Sequence, residues 1–190
     1  MIEQREIGLY TPSFHQALKH VLRQDPDLIM IGEMRDATSF AAAISAAETG
    51  HLVLSTLHTT SASQSMNRIL DFFKADEREQ VRRQLAETLR AVICQRMVQT
   101  LKGGVTPALE IMINTGTVKK LIEDNRLDKL SAAIETGSEE GMITFNQALY
   151  NLVKQGKVSQ EEALRKASNP QALEMNFNGI FLDEGRRILS

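Results

Sequence analysis

Two apolar runs of strand length, Leu28 to Ile31 and Leu52 to Leu57, flank an Ala-rich segment in which Phe40, Ala43, Ile44 and Ala47 recur at helical spacing. This succession predicts a βαβ unit, whose parallel strands read as continuous apolar runs because both their faces are buried. Asp36 or Thr38 is placed to cap the helix and Gly50 to end it in the left-handed conformation. Upstream, Phe14, Ala17, Leu18, Val21 and Leu22 form one face of an amphipathic helix, with Ser13 and Gln16 as a capping box, and Pro26 breaks the chain before the first strand. His15, Lys19 and Arg23 follow a polar stripe along the same helix.

Downstream, Ser61 and Gln64 repeat the capping-box spacing ahead of a stripe of Met66, Ile69, Leu70 and Phe73. The charged segment Ala75 to Ile93 keeps Val81, Leu85, Leu89 and Val92 on one helical side, with Glu79 and Arg83 as a solvated i,i+4 pair. Gln95 to Leu101 and Pro107 to Ile113 read as two strands joined at Gly103-Gly104. Beyond Asn114 the pattern becomes helical, over Thr117–Asp124, Leu127–Glu135, Thr144–Gln155 and Ser159–Ala167, with further capping boxes at Thr144/Gln147 and Ser159/Glu162. The last residues, including Phe177, Ile180, Phe181 and Leu182, form a candidate amphipathic tail that docks on the body.

With 190 residues, 42% hydrophobic and 24% charged, the chain has the composition of an ordinary globular protein. Its net charge of −2 gives no support to nucleic-acid binding. No apolar run approaches the roughly 20 residues that span a bilayer, and a cytoplasmic location is expected. The single cysteine, Cys94, forms no internal disulfide and no thiolate zinc cluster; its apolar neighbours Val92 and Ile93 suggest a buried, inert thiol.

The candidate chemistry lies at the carboxyl ends of the two parallel strands, where open α/β sheets bind ligands. Glu33 follows the first strand and His58 ends the second, so both are expected to face one crevice. An acid in that place can orient water or hold magnesium during phosphoryl transfer, and a histidine one strand away can donate to a phosphate oxygen. Taken alone, such a Glu and His are more often a solvated carboxylate and structural histidines, and the residues leave both readings open.

The wording around them is more specific. LRQDPDLIMIGEMRD followed by AAETGHLVLSTLHTTSA resembles the variant Walker B motif and histidine box of the secretion and type IV pilus traffic ATPases, and is most similar to the PilT-type twitching-motility retraction motors. The similarity runs from about Gln4 to about Ala167. It implies a partial RecA-like α/β fold, a mostly parallel sheet with flanking helices over residues 1–113, followed by a small helical bundle over 114–190. It implies that Glu33 polarises the attacking water, that His58 senses the γ-phosphate, and that His51, Arg23, Arg35 and Arg96 support the nucleotide or a subunit contact, with a structural salt bridge an equal reading for Arg96. ATP with Mg2+, a homo-hexameric ring, the inner-membrane platform protein of the pilus and a paralogous retraction ATPase follow as expected partners.

Several positions depart from that pattern. Lys19 stands where the main retraction motor usually has arginine, and a lysine lacks the guanidinium fork. TVKKLIED, Thr117 to Asp124, replaces a retraction-linked motif and ends on acid rather than base. No GxxxxGK[ST] occurs, so the main grip on the β- and γ-phosphates is missing from these 190 residues and the chain is expected to begin inside the ATPase domain. The alternatives are a type II secretion or pilus-extension ATPase, which the missing CxxC pairs disfavour, and a non-catalytic interaction subunit of such a ring.

Overall fold

A computed structural model describes residues 2–181; the candidate tail residue Leu182 lies outside them. The described elements are α1 (Phe14–Val21), β1 (Leu28–Ile31), α2 (Ala37–Glu48), β2 (Leu52–Ser55), α3 (Ala62–Asp71), α4 (Arg78–Thr88), β3 (Ala91–Gln99), β4 (Val105–Ile113), α5 (Gly116–Glu123), α6 (Leu130–Thr136), α7 (Phe145–Lys154), α8 (Gln160–Lys166) and α9 (Pro170–Phe177). They pack as two compact units, one built from the chain up to His58 with Arg68–Thr88, the other from Thr59–Asn67 with everything from Leu89 onward.

In the first unit β1 and β2 pair in parallel, Leu28 opposite Leu52 and Ile31 opposite Ser55, with α2 as the crossover. Ile29 and Ile31 pack on Ala43 and Ala46 of α2, and Phe14, Leu18, Val21 and Leu22 of the α1 region close over them. The alanines make this close approach possible because they carry no bulk past Cβ. Phe40 stacks on Phe72 with ring centroids 5.2 Å apart. Asp36 caps α2, its Oδ1 accepting from the Ser39 N–H at 2.8 Å, and Gly50 follows at φ 93°.

The other face of β1 and β2 contradicts the expectation of two-sided burial. Leu28, Met30, Leu52 and Leu54 stand out of the sheet on its open side, with Met30 68% exposed. Only one helical layer, formed by α1 and α2, covers these strands among the described residues, so alternate residues of each apolar run remain uncovered. Strand β2 is also shorter than expected, ending at Ser55 rather than Leu57.

The second unit is organised on an antiparallel hairpin, β3 and β4, in continuous register from Ala91/Ile113 to Gln99/Val105. Gly103 and Gly104 turn the chain with φ 84° and 83°, a conformation open to glycine without strain. Strand β3 starts at Ala91, so the expected helix through Ile93 ends earlier, at Thr88. Asn114 fixes that end, donating from Nδ2 to the Leu89 carbonyl at 2.9 Å and from its backbone N–H to the Arg90 carbonyl at 3.0 Å. Cys94, Val98, Ala108 and Met112 are buried on the hairpin, and Val118, Ile122, Leu130, Ile134, Phe145 and Leu149 are buried on α5 to α7, of which α6 and α7 pack against β4.

Helices α5 to α9 complete this unit. Thr144 and Gln147 form a full capping box at α7. At α8 only half of one forms: Ser159 Oγ accepts from the Glu162 N–H, while the Glu162 carboxylate is taken by the Gln99 N–H at 3.0 Å and by Arg165. These contacts, the Gln99 N–H first, hold the Glu162 carboxyl below the usual carboxylate range. Of the expected tail residues, Phe177 belongs to α9, where it stacks on Tyr150 of α7; Phe181 meets the same ring edge-on, and Ile180 and Phe181 are largely exposed.

Candidate functional site

Past β1 the chain bends at Gly32 and passes through Glu33, Met34 and Arg35 without regular structure before Asp36 caps α2. Met34 turns inward onto the α1–α2 core, which leaves Glu33 and Arg35 on the opposite side two residues apart. There the guanidinium of Arg35 donates to Glu33 Oε2 at 2.5 Å. The parallel partner brings the next group: Thr56 Oγ1 donates to the Gly32 carbonyl at 2.5 Å, aligning the two strand ends, and two residues later His58 Nε2 lies 3.2 Å from Glu33 Oε1.

Each oxygen of Glu33 thus has one cationic or polar partner. The hydrogen bond from Arg35 is the largest influence and lowers the Glu33 pKa; partial burial opposes it, and the charges of Arg35 and His58 add to it. The same contact raises Arg35 further above its already high value. An ionised carboxylate accepts only, so His58 Nε2 carries a proton toward it. The Glu33 side chain is 26% exposed and that of His58 89%, so the pair meets at an open surface.

The remaining candidates have separate surroundings. His51 Nδ1 lies 3.2 Å from the Ala46 carbonyl and 3.1 Å from Thr49 Oγ1, at the end of α2. A carbonyl only accepts, so Nδ1 is protonated and Nε2 is the nitrogen left for any other partner. Arg23 is exposed on the short 3-10 turn Leu22–Gln24 that follows α1. Arg96 belongs to the second unit, where its Nη1 donates to the Lys166 carbonyl at 2.9 Å, its Nη2 to the Thr60 carbonyl at 3.1 Å, and its guanidinium lies 3.8 Å from the Phe145 ring centroid. No group of three or more His, Cys, Asp or Glu side chains converges as a metal cluster among the described residues.

One buried acid escaped the sequence reading. Glu110, 6% exposed, accepts the Ala62 N–H at 2.9 Å at the start of α3. Its signal was present in the pattern: a single charged residue inside the otherwise apolar run Pro107 to Ile113 requires a partner. Opposite it, burial raises the Cys94 thiol pKa, in keeping with the inert thiol expected.

Comparison with known proteins adds three findings. A family model described as Type II/IV secretion system protein matches residues 8–174. The chain is 44% identical over 174 residues to a twitching motility protein of Neisseria gonorrhoeae, and 43% identical over 171 residues to the type IV pilus retraction ATPase PilT of Pseudomonas aeruginosa. These alignments cover 91% and 90% of this chain but 46% and 50% of the relatives, so the chain spans about half their length. In structure it matches the pilus retraction motor PilT with bound ADP at a TM-score of 0.80 and 41% identity, over 90% of this chain and 48% of that one.

Proposed function

The chain belongs to the type II/IV secretion system protein family, and from that membership we propose that it is the C-terminal part of a hexameric ATP-hydrolysing motor that powers type IV pilus retraction. Residues 1–113 supply the later portion of its RecA-like domain and residues 114–190 its helical subdomain. The observation that carries this reading is the pair at the carboxyl ends of β1 and β2, Glu33 and His58, 3.2 Å apart, with Arg35 on the other Glu33 oxygen.

Phosphoryl transfer demands mostly positioning and charge compensation. Arg35 keeps Glu33 ionised and limits its rotation, so that the carboxylate presents a fixed acceptor to an attacking water. Each carboxylate oxygen has two lone-pair directions, and Glu33 therefore has acceptor capacity beyond Arg35 and His58. His58, exposed and protonated at Nε2, can exchange its bond to Glu33 for one to a γ-phosphate oxygen. That exchange frees a Glu33 oxygen when nucleotide is present. His51 braces the α2 end of the same unit through Ala46 and Thr49, and Arg23 offers a positive charge for the nucleotide or a neighbouring subunit.

Magnesium would accompany ATP and neutralise phosphate charge. One ionised carboxylate, Glu33, would suit a magnesium ion that keeps most of its waters and is held chiefly by the nucleotide phosphates. The phosphate cradle itself is not encoded in these 190 residues, since no GxxxxGK[ST] occurs. The proposed partners are five further copies of the chain's parent protein and the inner-membrane platform of the pilus. A second reading is a non-catalytic subunit that joins a ring and binds without turnover.

Steady-state ATP turnover of the protein extended upstream through a P-loop, beside its His58→Gln variant, separates the two readings, since a non-catalytic subunit turns over ATP in neither. The motor reading predicts a fall in kcat of about 100-fold, with ATP still bound. Turnover equal to the unmodified protein removes His58 from the mechanism.

A further inference from the structure

The segment that leads from His58 into α3 is held by side chains that the hydrolysis mechanism does not use. Thr59 Oγ1 lies 2.6 Å from Ser65 Oγ, the Thr60 N–H donates to Gln64 Oε1 at 3.3 Å, and the Ser65 hydroxyl donates back to the Ser61 carbonyl at 3.0 Å. These are local bonds of a helix start. Two others come from the β3–β4 hairpin: Glu110 accepts the Ala62 N–H, and Arg96 donates to the Thr60 carbonyl. Arg96 also reaches the carbonyl of Lys166, the last residue of α8, with its guanidinium over the face of the buried Phe145 in α7.

A guanidinium is suited to this place. Its planar fork can serve two carbonyls at once while its face rests on an aromatic ring, and its charge complements the partially negative carboxyl end of a helix. Both of its hydrogen-bond partners are backbone carbonyls, so what Arg96 recognises is the position of two chain segments rather than any particular side chain. One segment begins two residues after His58; the other ends the helix α8.

We propose that Arg96 is a positioning residue that, together with Glu110, clamps the Thr59–Ala62 segment following His58 and couples it to the C-terminal helices through Lys166 and Phe145. Movement of α7 or α8 is thereby felt at Thr59–Ala62, the segment joined directly to His58 along the chain, and the setting of that segment is felt at α8. The consequence for turnover rests on the assignment of His58 as the phosphate-sensing group; the clamp itself does not.

Backbone hydrogen exchange of the 190-residue chain without nucleotide tests the clamp directly. Arg96→Gln removes the charge and Arg96→Lys keeps it on a group that cannot fork between two carbonyls. Both variants are expected to speed exchange in peptides covering Thr59–Ser65 and Ala163–Lys166 about tenfold, while peptides from β1 and α5 exchange as before and report an intact fold. Phe145→Leu, which keeps apolar volume but removes the ring face, is expected to act in the same direction more weakly. Unchanged exchange at Thr59–Ser65 in Arg96→Gln, or wild-type exchange in Arg96→Lys, overturns the proposal. In the protein extended upstream, Arg96→Lys is expected to lower kcat with little change in KM. A normal kcat alongside a loosened segment would sever the clamp from catalysis and overturn the coupling to His58. If the exchange result holds and the unmodified extended protein shows no turnover, the motor reading fails and the clamp stands.

Discussion

Arg35 governs how Glu33 behaves toward acid. Because its guanidinium lowers the Glu33 pKa, the carboxylate stays charged above the usual carboxylate range and also within its upper part. The ion pair is complete above the ordinary glutamate pKa and is lost as pH falls through the depressed value. Arg35→Gln is expected to move that loss to higher pH, read either as the acid limb of the rate profile or as the carboxyl chemical shift of Glu33 during titration. An unmoved midpoint would show that Arg35 does not set the charge. The proximity of Glu33 and His58 was legible in the sequence because the βαβ pattern sends both chain segments out of the same end of a parallel pair, although β2 stops at Ser55, three residues before His58. The clamp was not legible, since Arg96 and Glu110 find their partners 36 and 48 residues away in sequence, where no local pattern reaches.

Among the elements, the caps test how far local chemistry alone determines structure. Thr144 and Gln147 satisfy each other's backbone groups, so Thr144→Ala is expected to cost about 1 kcal/mol in chemical denaturation. Ser159 and Glu162 carry the same sequence signal, but the glutamate is drawn away by the Gln99 N–H and by Arg165. It therefore joins α8 to the end of β3. Glu162→Ala should destabilise the second unit by about 1–2 kcal/mol. The depressed Glu162 pKa means that this contribution is present above the ordinary glutamate value and disappears as pH falls through the depressed one. A stability difference that persists unchanged into strong acid would contradict this. Helix α4 shows the opposite limit. Its apolar spacing continues through Leu89 to Val92, yet the helix stops at Thr88 because Asn114 bonds the carbonyls of Leu89 and Arg90 and the next residues enter the hairpin. Periodicity cannot register a competitor supplied by a distant asparagine.

At the scale of the whole molecule, the apolar faces decide behaviour in solution. Leu28, Met30, Leu52 and Leu54 form adjacent exposed apolar pairs on one sheet, and Ile93, Met97 and Val105 stand exposed on the other. The 190-residue chain is expected to associate as its concentration rises, and Met30→Lys or Ile93→Lys to weaken that association in sedimentation velocity. A monomer at every concentration, in the absence of either substitution, would contradict it. Two-sided burial, sound as a rule for parallel strands, failed here because a single layer of helices covers β1 and β2 among the described residues. The central claim is that Glu33 is the water-orienting residue of an ATP-driven motor, and steady-state ATP turnover of the chain extended upstream through a P-loop, beside its Glu33→Gln variant, tests it most directly. The account predicts turnover in the extended protein and a loss of about 100-fold or more in the variant with nucleotide still bound. Equal turnover in the two proteins would contradict it.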